Sequence, residues 1–170
     1  MMKSLLGALS LLILLWQTPL LAEDMFKLPD DCKEIELEMI KCPLAEDVSM
    51  NDAIDSMKLR ANMLNFKLVA HMPLSEQVKA MGGESARMEI YQFCDASIAA
   101  KMVSANLAFA GYLPCRIALV EDNDGKPWLI TLNMDKTMGK AKLPDDLKAL
   151  GMKVRNNIYS IMAAGALGEL

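Results

Sequence analysis

The chain is poor in the residues that mark the better-known catalytic and cofactor motifs. It has one histidine, His71, and aromatic residues make up 5% of its 170 positions. No serine stands in a Gly-x-Ser-x-Gly elbow, so that histidine has no obvious triad to join. No Cys-x-x-Cys pair is present, nor any standard zinc spacing. The absence of Cys-x-x-Cys-His leaves covalent haem unsupported. A noncovalent haem with one His or Met ligand stays compatible with the sequence. Gly82-Gly83 is too short for a phosphate-binding loop and follows a helical segment instead of preceding one. Positive charge is also in deficit. The chain holds 18 Lys and Arg against 22 Asp and Glu, a net charge of −4, with no basic stripe. That balance argues against a nucleic-acid partner. Beyond the N-terminus there is no long apolar run, so no stable membrane span is expected elsewhere.

What is present begins with the N-terminus itself. Met1-Met2-Lys3 leads into an apolar run from Leu5 to Trp16, and Thr18-Pro19-Leu20-Leu21-Ala22 follows. A positive start, a short apolar stretch and a small residue before polar sequence describe a secretory signal peptide, residues 1–22, cut between Ala22 and Glu23. An uncleaved anchor is the alternative. No Cys follows Ala22, which speaks against a lipoprotein. The expected mature protein, residues 23–170, is a single domain that is periplasmic or secreted. Loss of Lys3 leaves it one unit more acidic.

The chain carries 15 methionines. Methionine fills irregular cores and adaptable binding surfaces, and its thioether can ligate Cu(I). With so few aromatic residues, Met and Leu are expected to do much of the packing.

Along the mature chain, period-two and helical patterns alternate. Ile35, Leu37 and Met39 alternate with Glu34, Glu36 and Glu38, a strand with one acidic, wet face that Pro43 ends. Ser49 and Asp52 form a capping-box-like start for a helix with Ala53, Ile54, Met57, Ala61 and Leu64 on one side. Phe66, Leu68, Ala70 and Met72 mark a second strand, with His71 on the opposite face. A short helix from Ser75 to Met81 stops at Gly82-Gly83. Met88, Ile90 and Gln92 alternate with Arg87, Glu89 and Tyr91 in a third strand. Asp95 caps an apolar helix to about Ala108. Two strands, Cys115 to Glu121 and Pro127 to Leu132, flank the hairpin signal Asn123-Asp124-Gly125. Pro144, Asp145 and Asp146 open a last helix, in which Gly151 is a weak point. This order predicts an α+β, two-layer sandwich, with helices packed on one face of a largely antiparallel sheet.

The four cysteines allow three pairings. Disulfides persist in exported proteins. Cys32 and Cys42 flank the first strand and would stand about 33 Å apart if it were fully extended. A bridge between them requires a bend. Cys94 ends one strand and Cys115 begins another, so the two are expected to be bridged or closely apposed. A functional reading also exists. A thiol just before a helix feels the positive end of the helix dipole, which favours thiolate, and Arg116 adds positive charge, whereas Asp95 opposes it. His71 and Met72, with Met134 and Met138 four residues apart, are weak copper candidates. The carboxylates Glu34, Glu36 and Glu38 read as solvent-facing, and Asp122 and Asp124 as turn residues.

Tyr91-Gln92-Phe93-Cys94-Asp95, the Ala-rich helix after it, the run from Leu113-Pro114-Cys115-Arg116 to Glu121-Asp122, and Gly125 in the hairpin resemble the core of the domain-of-unknown-function 302 family. The strand-helix-strand from Ile35 to Met72 fits in order. The resemblance implies a two-layer fold like that of the TATA-binding-protein-like group, often seen as a homodimer. It implies no particular activity. The signal segment and the Cys32/Cys42 pair are departures from the family pattern.

Two functions follow. The first is an exported binding or accessory protein, not an enzyme, that holds a small apolar or sulfur-containing ligand near Cys94, Pro114, Cys115 and Arg116. The second is a thiol-based redox or sulfur-transfer enzyme using Cys94. The lack of an acid, a base or an oxyanion donor around the thiol favours the first. No cofactor is assigned.

Overall fold

A computed structural model describes residues 25–169. The segment read as a signal peptide lies outside the described residues. Six strands, β1 (Lys33–Ile35), β2 (Met39–Pro43), β3 (Lys67–Met72), β4 (Met88–Cys94), β5 (Cys115–Glu121) and β6 (Pro127–Leu132), form one sheet in the order β1-β2-β6-β5-β4-β3. Every neighbouring pair is antiparallel. Five helices accompany them: α1 (Met50–Met63), α2 (Leu74–Ala80), α3 (Ala96–Ala105), α4 (Met134–Lys140) and α5 (Asp145–Leu167). The fold is thus the expected α+β two-layer sandwich. No helix among the described residues is long and apolar enough to cross a membrane.

The pleat sorts the strand residues into two faces. Tyr91, Ile117 and Thr131 lie side by side across β4, β5 and β6, as do Glu89, Leu119 and Leu129. Cys42 and Ile40 of β2 continue these rows. This face packs against Met57 and Ala61 of α1 and Ile158, Ile161 and Met162 of α5 to form the main core. The helices approach each other closely because Gly165 lacks a side chain. A Cβ there would stand 2.6 Å from Met57 Cγ and 3.1 Å from the Ala53 carbonyl oxygen.

The capping logic survives in detail. Asp52 N donates to Ser49 Oγ at 3.1 Å, and Ser49 N donates back to Asp52 Oδ2 at 3.3 Å. Four boundaries differ from the pattern-based expectation. The first strand is two strands, because residues 36–38 form a tight turn in which Leu37 and Glu38 take φ of 58° and 56°. The turn is the bend that the Cys32–Cys42 pairing requires. Their Cα atoms stand 4.1 Å apart and the disulfide is formed. A bulge between Leu68 and Ala70 in β3 puts Leu68 on the His71 face, away from Ala70 and Met72. The helix after Asp95 stops at Ala105. Asn106 turns extended, with φ −155° and ψ 117°, and its side chain caps a 3-10 turn over Leu107–Tyr112. Finally, α4 was not anticipated; Asn133 caps it by accepting from Lys136 N.

Candidate functional site

The ends of four strands meet at one border of the sheet. There β4 finishes at Cys94, β5 begins at Cys115, β6 finishes at Leu132 and β2 begins at Met39. Helices α3 and α4, the 3-10 turn and the first turns of α5 stand over this border. Between them lies a cavity of 490 Å³. Its lining is chiefly carbon and sulfur: Ile98, Met102, Phe109, Ile130, Leu132 and Val154, with Met39, Met134, Met138 and the two thiols. The volume falls within the range of roughly 300–1,000 Å³ found for small-molecule sites.

The walls are held by polar contacts behind them. Asp95 Oδ1 accepts from Ser97 N at 2.9 Å and Ile98 N at 3.1 Å, which fixes the start of α3 directly after Cys94. On the far wall, Arg155 of α5 is 6% exposed and grips Asp135 of α4 through two bonds of 2.9 Å. Tyr159 Oη accepts from Met134 N at 3.0 Å. Together they aim Met134 and Met138 into the cavity. Lys136 and Lys140 pair outward with Glu34 and Glu38, so two of the three expected wet carboxylates tie α4 to β1 and the turn after it. Gly151 makes room for Met138 and does not interrupt α5: a Cβ there would lie 2.3 Å from Met138 Cε.

Cys94, Cys115 and Arg116 all line this cavity, and Pro114 is not among the lining residues. Both thiols are free. Cys115 pairs with Phe93 in the ladder, so Cys94 is one residue out of step and leaves the pleat on the other side. Shared lining without a bridge is therefore the outcome of the register. Burial and the Asp95 carboxylate push the Cys94 thiol up, against the thiolate expectation from the helix start. The reason is that Asp95, and not the thiol, occupies the free N–H groups of α3. Burial pushes Cys115 up to about 12, and Arg116 offsets this only weakly.

His71 and Met72 do not converge on this site. His71 Nε2 sits 2.6 Å from Glu89 Oε2 and its ring stacks on Tyr91 at 4.5 Å. Met72 pairs with Ile90 on the other face of the sheet. Among the described residues no group of three or more His, Cys, Asp or Glu is arranged to hold a metal. Instead His71 belongs to a polar cluster that the pattern reading missed. Glu89, 7% exposed, accepts from Tyr91 Oη at 2.6 Å and Arg87 Nε at 2.5 Å, and Arg87 Nη1 reaches Asn51 at 2.9 Å. Burial alone would raise the Glu89 carboxyl. The bonds from Tyr91, Arg87 and His71 outweigh it and bring it to about 2. The available signal was Glu89 standing in phase with Tyr91 and Phe93. The cavity methionines had only their abundance as a signal, and α4 had Asn133 followed by Asp135.

The family described as "Domain of unknown function DUF302" matches residues 40–165. The chain belongs to this family. The DUF302 match spans α1 to α5 and takes in both Cys94 and Cys115, whereas Cys32 lies before it. A solved structure, an uncharacterized conserved DUF302 protein from Bacillus stearothermophilus, is similar at a TM-score of 0.63 and 18% identity. The similarity covers 75% of this chain and 98% of that one, and at this identity it speaks for the fold alone. No curated protein matches.

Proposed function

We propose that this DUF302 protein is a small exported binding protein whose cavity at the Cys94/Cys115 border holds an apolar ligand. The observation that carries the reading is an internal volume of 490 Å³ lined by carbon and sulfur, with its polar atoms turned away. Such a surface gains free energy by removing apolar area from water, at about 25 cal/mol per Å². The methionines suit a ligand of variable shape, because the unbranched thioether chain adapts its rotamers.

The thiol-enzyme reading draws less support. A resting nucleophile needs thiolate, and both thiols are pushed toward the neutral form. Of the charged residues in the lining, Asp95 is committed to the N–H groups of α3 and Arg116 is exposed, so no acid–base pair is set against the thiols. Export rests on the leader-like residues 1–22 and on the Cys32–Cys42 bridge, since such bonds persist in oxidising compartments. A homodimer is supported by the family resemblance. The native mass of protein taken from its own compartment checks leader removal and dimer together.

The test of the ligand reading is titration with N-phenyl-1-naphthylamine, an uncharged fluorescent probe. Saturable binding with micromolar affinity is expected, competed by 1-dodecanol. Ala99→Phe, which fills the cavity from α3, should weaken it at least tenfold while the circular dichroism is unchanged. Binding that ignores Ala99→Phe would sink the reading.

A further inference from the structure

The chain has four arginines, and three of them are paired with carboxylates. Arg60 meets Glu169 at 2.7 Å, Arg87 meets Glu89 at 2.5 Å and Arg155 meets Asp135 at 2.9 Å. Arg116 joins no ion pair among the described residues. It is exposed, yet it also lines the apolar cavity, so it stands at the rim. Its neighbours leave it free to bind. Asp95, the acid that lines the cavity with it, has Oδ1 committed to two backbone N–H groups of α3. The Arg116 carbonyl accepts from Thr131 Oγ1 at 2.7 Å, which holds the backbone and leaves the guanidinium outside the bond.

The interior offers no competing polar contact. Thr131 and Thr137, the two threonines of the lining, already donate to the carbonyls of Arg116 and Asn133. Both thiols are free, and burial pushes each away from the charged form. A polar ligand group therefore finds its one cationic partner at the mouth, in Arg116; the remaining hydroxyl of the lining belongs to Tyr112, itself 49% exposed. An arginine fork matches a carboxylate with two parallel bonds, and a partly desolvated charge-assisted bond is roughly twice as strong as a neutral one.

We propose that the site takes a single-chain anionic amphiphile: an aliphatic tail in the cavity and a carboxylate head on Arg116. This deepens the ligand reading above and rests on it. The volume suits one chain, and the sulfur-rich walls suit a tail with many conformers. Affinity should rise with tail length, about fourfold per methylene until the cavity is full.

The experiment compares laurate with 1-dodecanol, which share a twelve-carbon tail, by calorimetry on the whole protein stripped of lipid over a hydrophobic resin. Laurate should bind about tenfold more tightly than dodecanol. Arg116→Gln should cost laurate about tenfold and leave dodecanol within twofold, and Arg116→Lys should recover part of the loss. Unchanged dodecanol binding shows that the variant keeps its cavity. Equal binding of laurate and dodecanol, unaffected by Arg116→Gln, would overturn the anionic head and leave the apolar cavity standing. If neither molecule binds, the ligand reading falls together with the inference.

Discussion

Strand β4 carries a polar cluster at its first residues and an apolar cavity at its last. At Glu89 every strong group has a partner: the carboxylate receives Tyr91, Arg87 and His71, and Arg87 reaches on to Asn51. Five residues along, at Cys94, the pattern reverses. Two thiols stand unbonded, an arginine stands unpaired, and 490 Å³ of space separates the helices from the strand ends. A buried polar network that is fully satisfied rigidifies a fold, whereas unused groups around an apolar void have something left to bind. The two ends therefore predict different phenotypes. Damage at the Glu89 end should cost stability, and damage at the Cys94 end should cost binding.

The largest effect belongs to Glu89→Ala. It strands the Tyr91 hydroxyl and Arg87 beside the core, and removing one partner of a buried pair costs about 3 kcal/mol. A urea midpoint lowered by that energy divided by the slope, with the slope itself unchanged, is the expected result. The cost should depend on pH in a fixed direction. The Glu89 carboxyl is depressed to about 2 in the fold, against about 4.3 when the chain is unfolded. Its stabilisation is therefore complete above the unfolded value and is lost as pH falls from there toward 2. The gap between wild type and Glu89→Ala should shrink over that window. A variant as stable as wild type at pH 7 would break the contrast at its polar end.

Gly151→Ala probes the other end with a smaller effect. The new Cβ would meet Met138 Cε at 2.3 Å and Sδ at 3.0 Å, but that chain can swing into the cavity. Overpacking relieved in this way should cost about 1 kcal/mol. The displaced thioether takes up ligand space, so dodecanol affinity should drop several-fold although the fold persists. Loss of stability without loss of binding would show that Met138 serves the core and not the cavity.

Most of the frame was legible because it depends on local chemistry. Alternation marked β4, Ser49 and Asp95 marked two helix starts, and Asn123-Asp124-Gly125 marked the hairpin of β5 and β6. What escaped depends on contacts distant in sequence or on a backbone that breaks its own period. Glu36 and Leu37 continue the alternation of Ile35 and Glu34, yet the chain turns there, with Leu37 and Glu38 at positive φ. The gain is a disulfide and an ion pair from Glu38 to Lys140, one hundred residues away. Likewise Glu89 read as an ordinary strand carboxylate: Arg87 and Tyr91 are its neighbours on the same strand, but His71 of β3 and Asn51 of α1, which complete the cluster, come to it only through the fold. For the site, the positions of Cys94, Pro114, Cys115 and Arg116 at element ends suggested proximity, and three of them, without Pro114, line one cavity. Met134 and Met138 were not, because helix α4 joins the cavity through the tertiary grip of Arg155 and Tyr159, and Met102 had only its place on α3 as a signal.

The smallest effect is expected from the thiols themselves, and it is the one that separates a cavity wall from a nucleophile. Cys115, at about 12, holds roughly one part in 10⁵ as thiolate at pH 7, and Cys94 is shifted in the same direction. Iodoacetamide should therefore modify both far more slowly in the native protein than in urea, with the better-exposed Cys94 ahead of Cys115. Cys94→Ser should change stability by less than about 0.5 kcal/mol and dodecanol affinity by less than twofold. Rapid native labelling of Cys94 at neutral pH would reverse this reading. It would mean that the helix start governs the thiol after all, and that the apolar end of β4 carries a reactive group. Slow labelling that becomes slower still with laurate bound would place the ligand against Cys94.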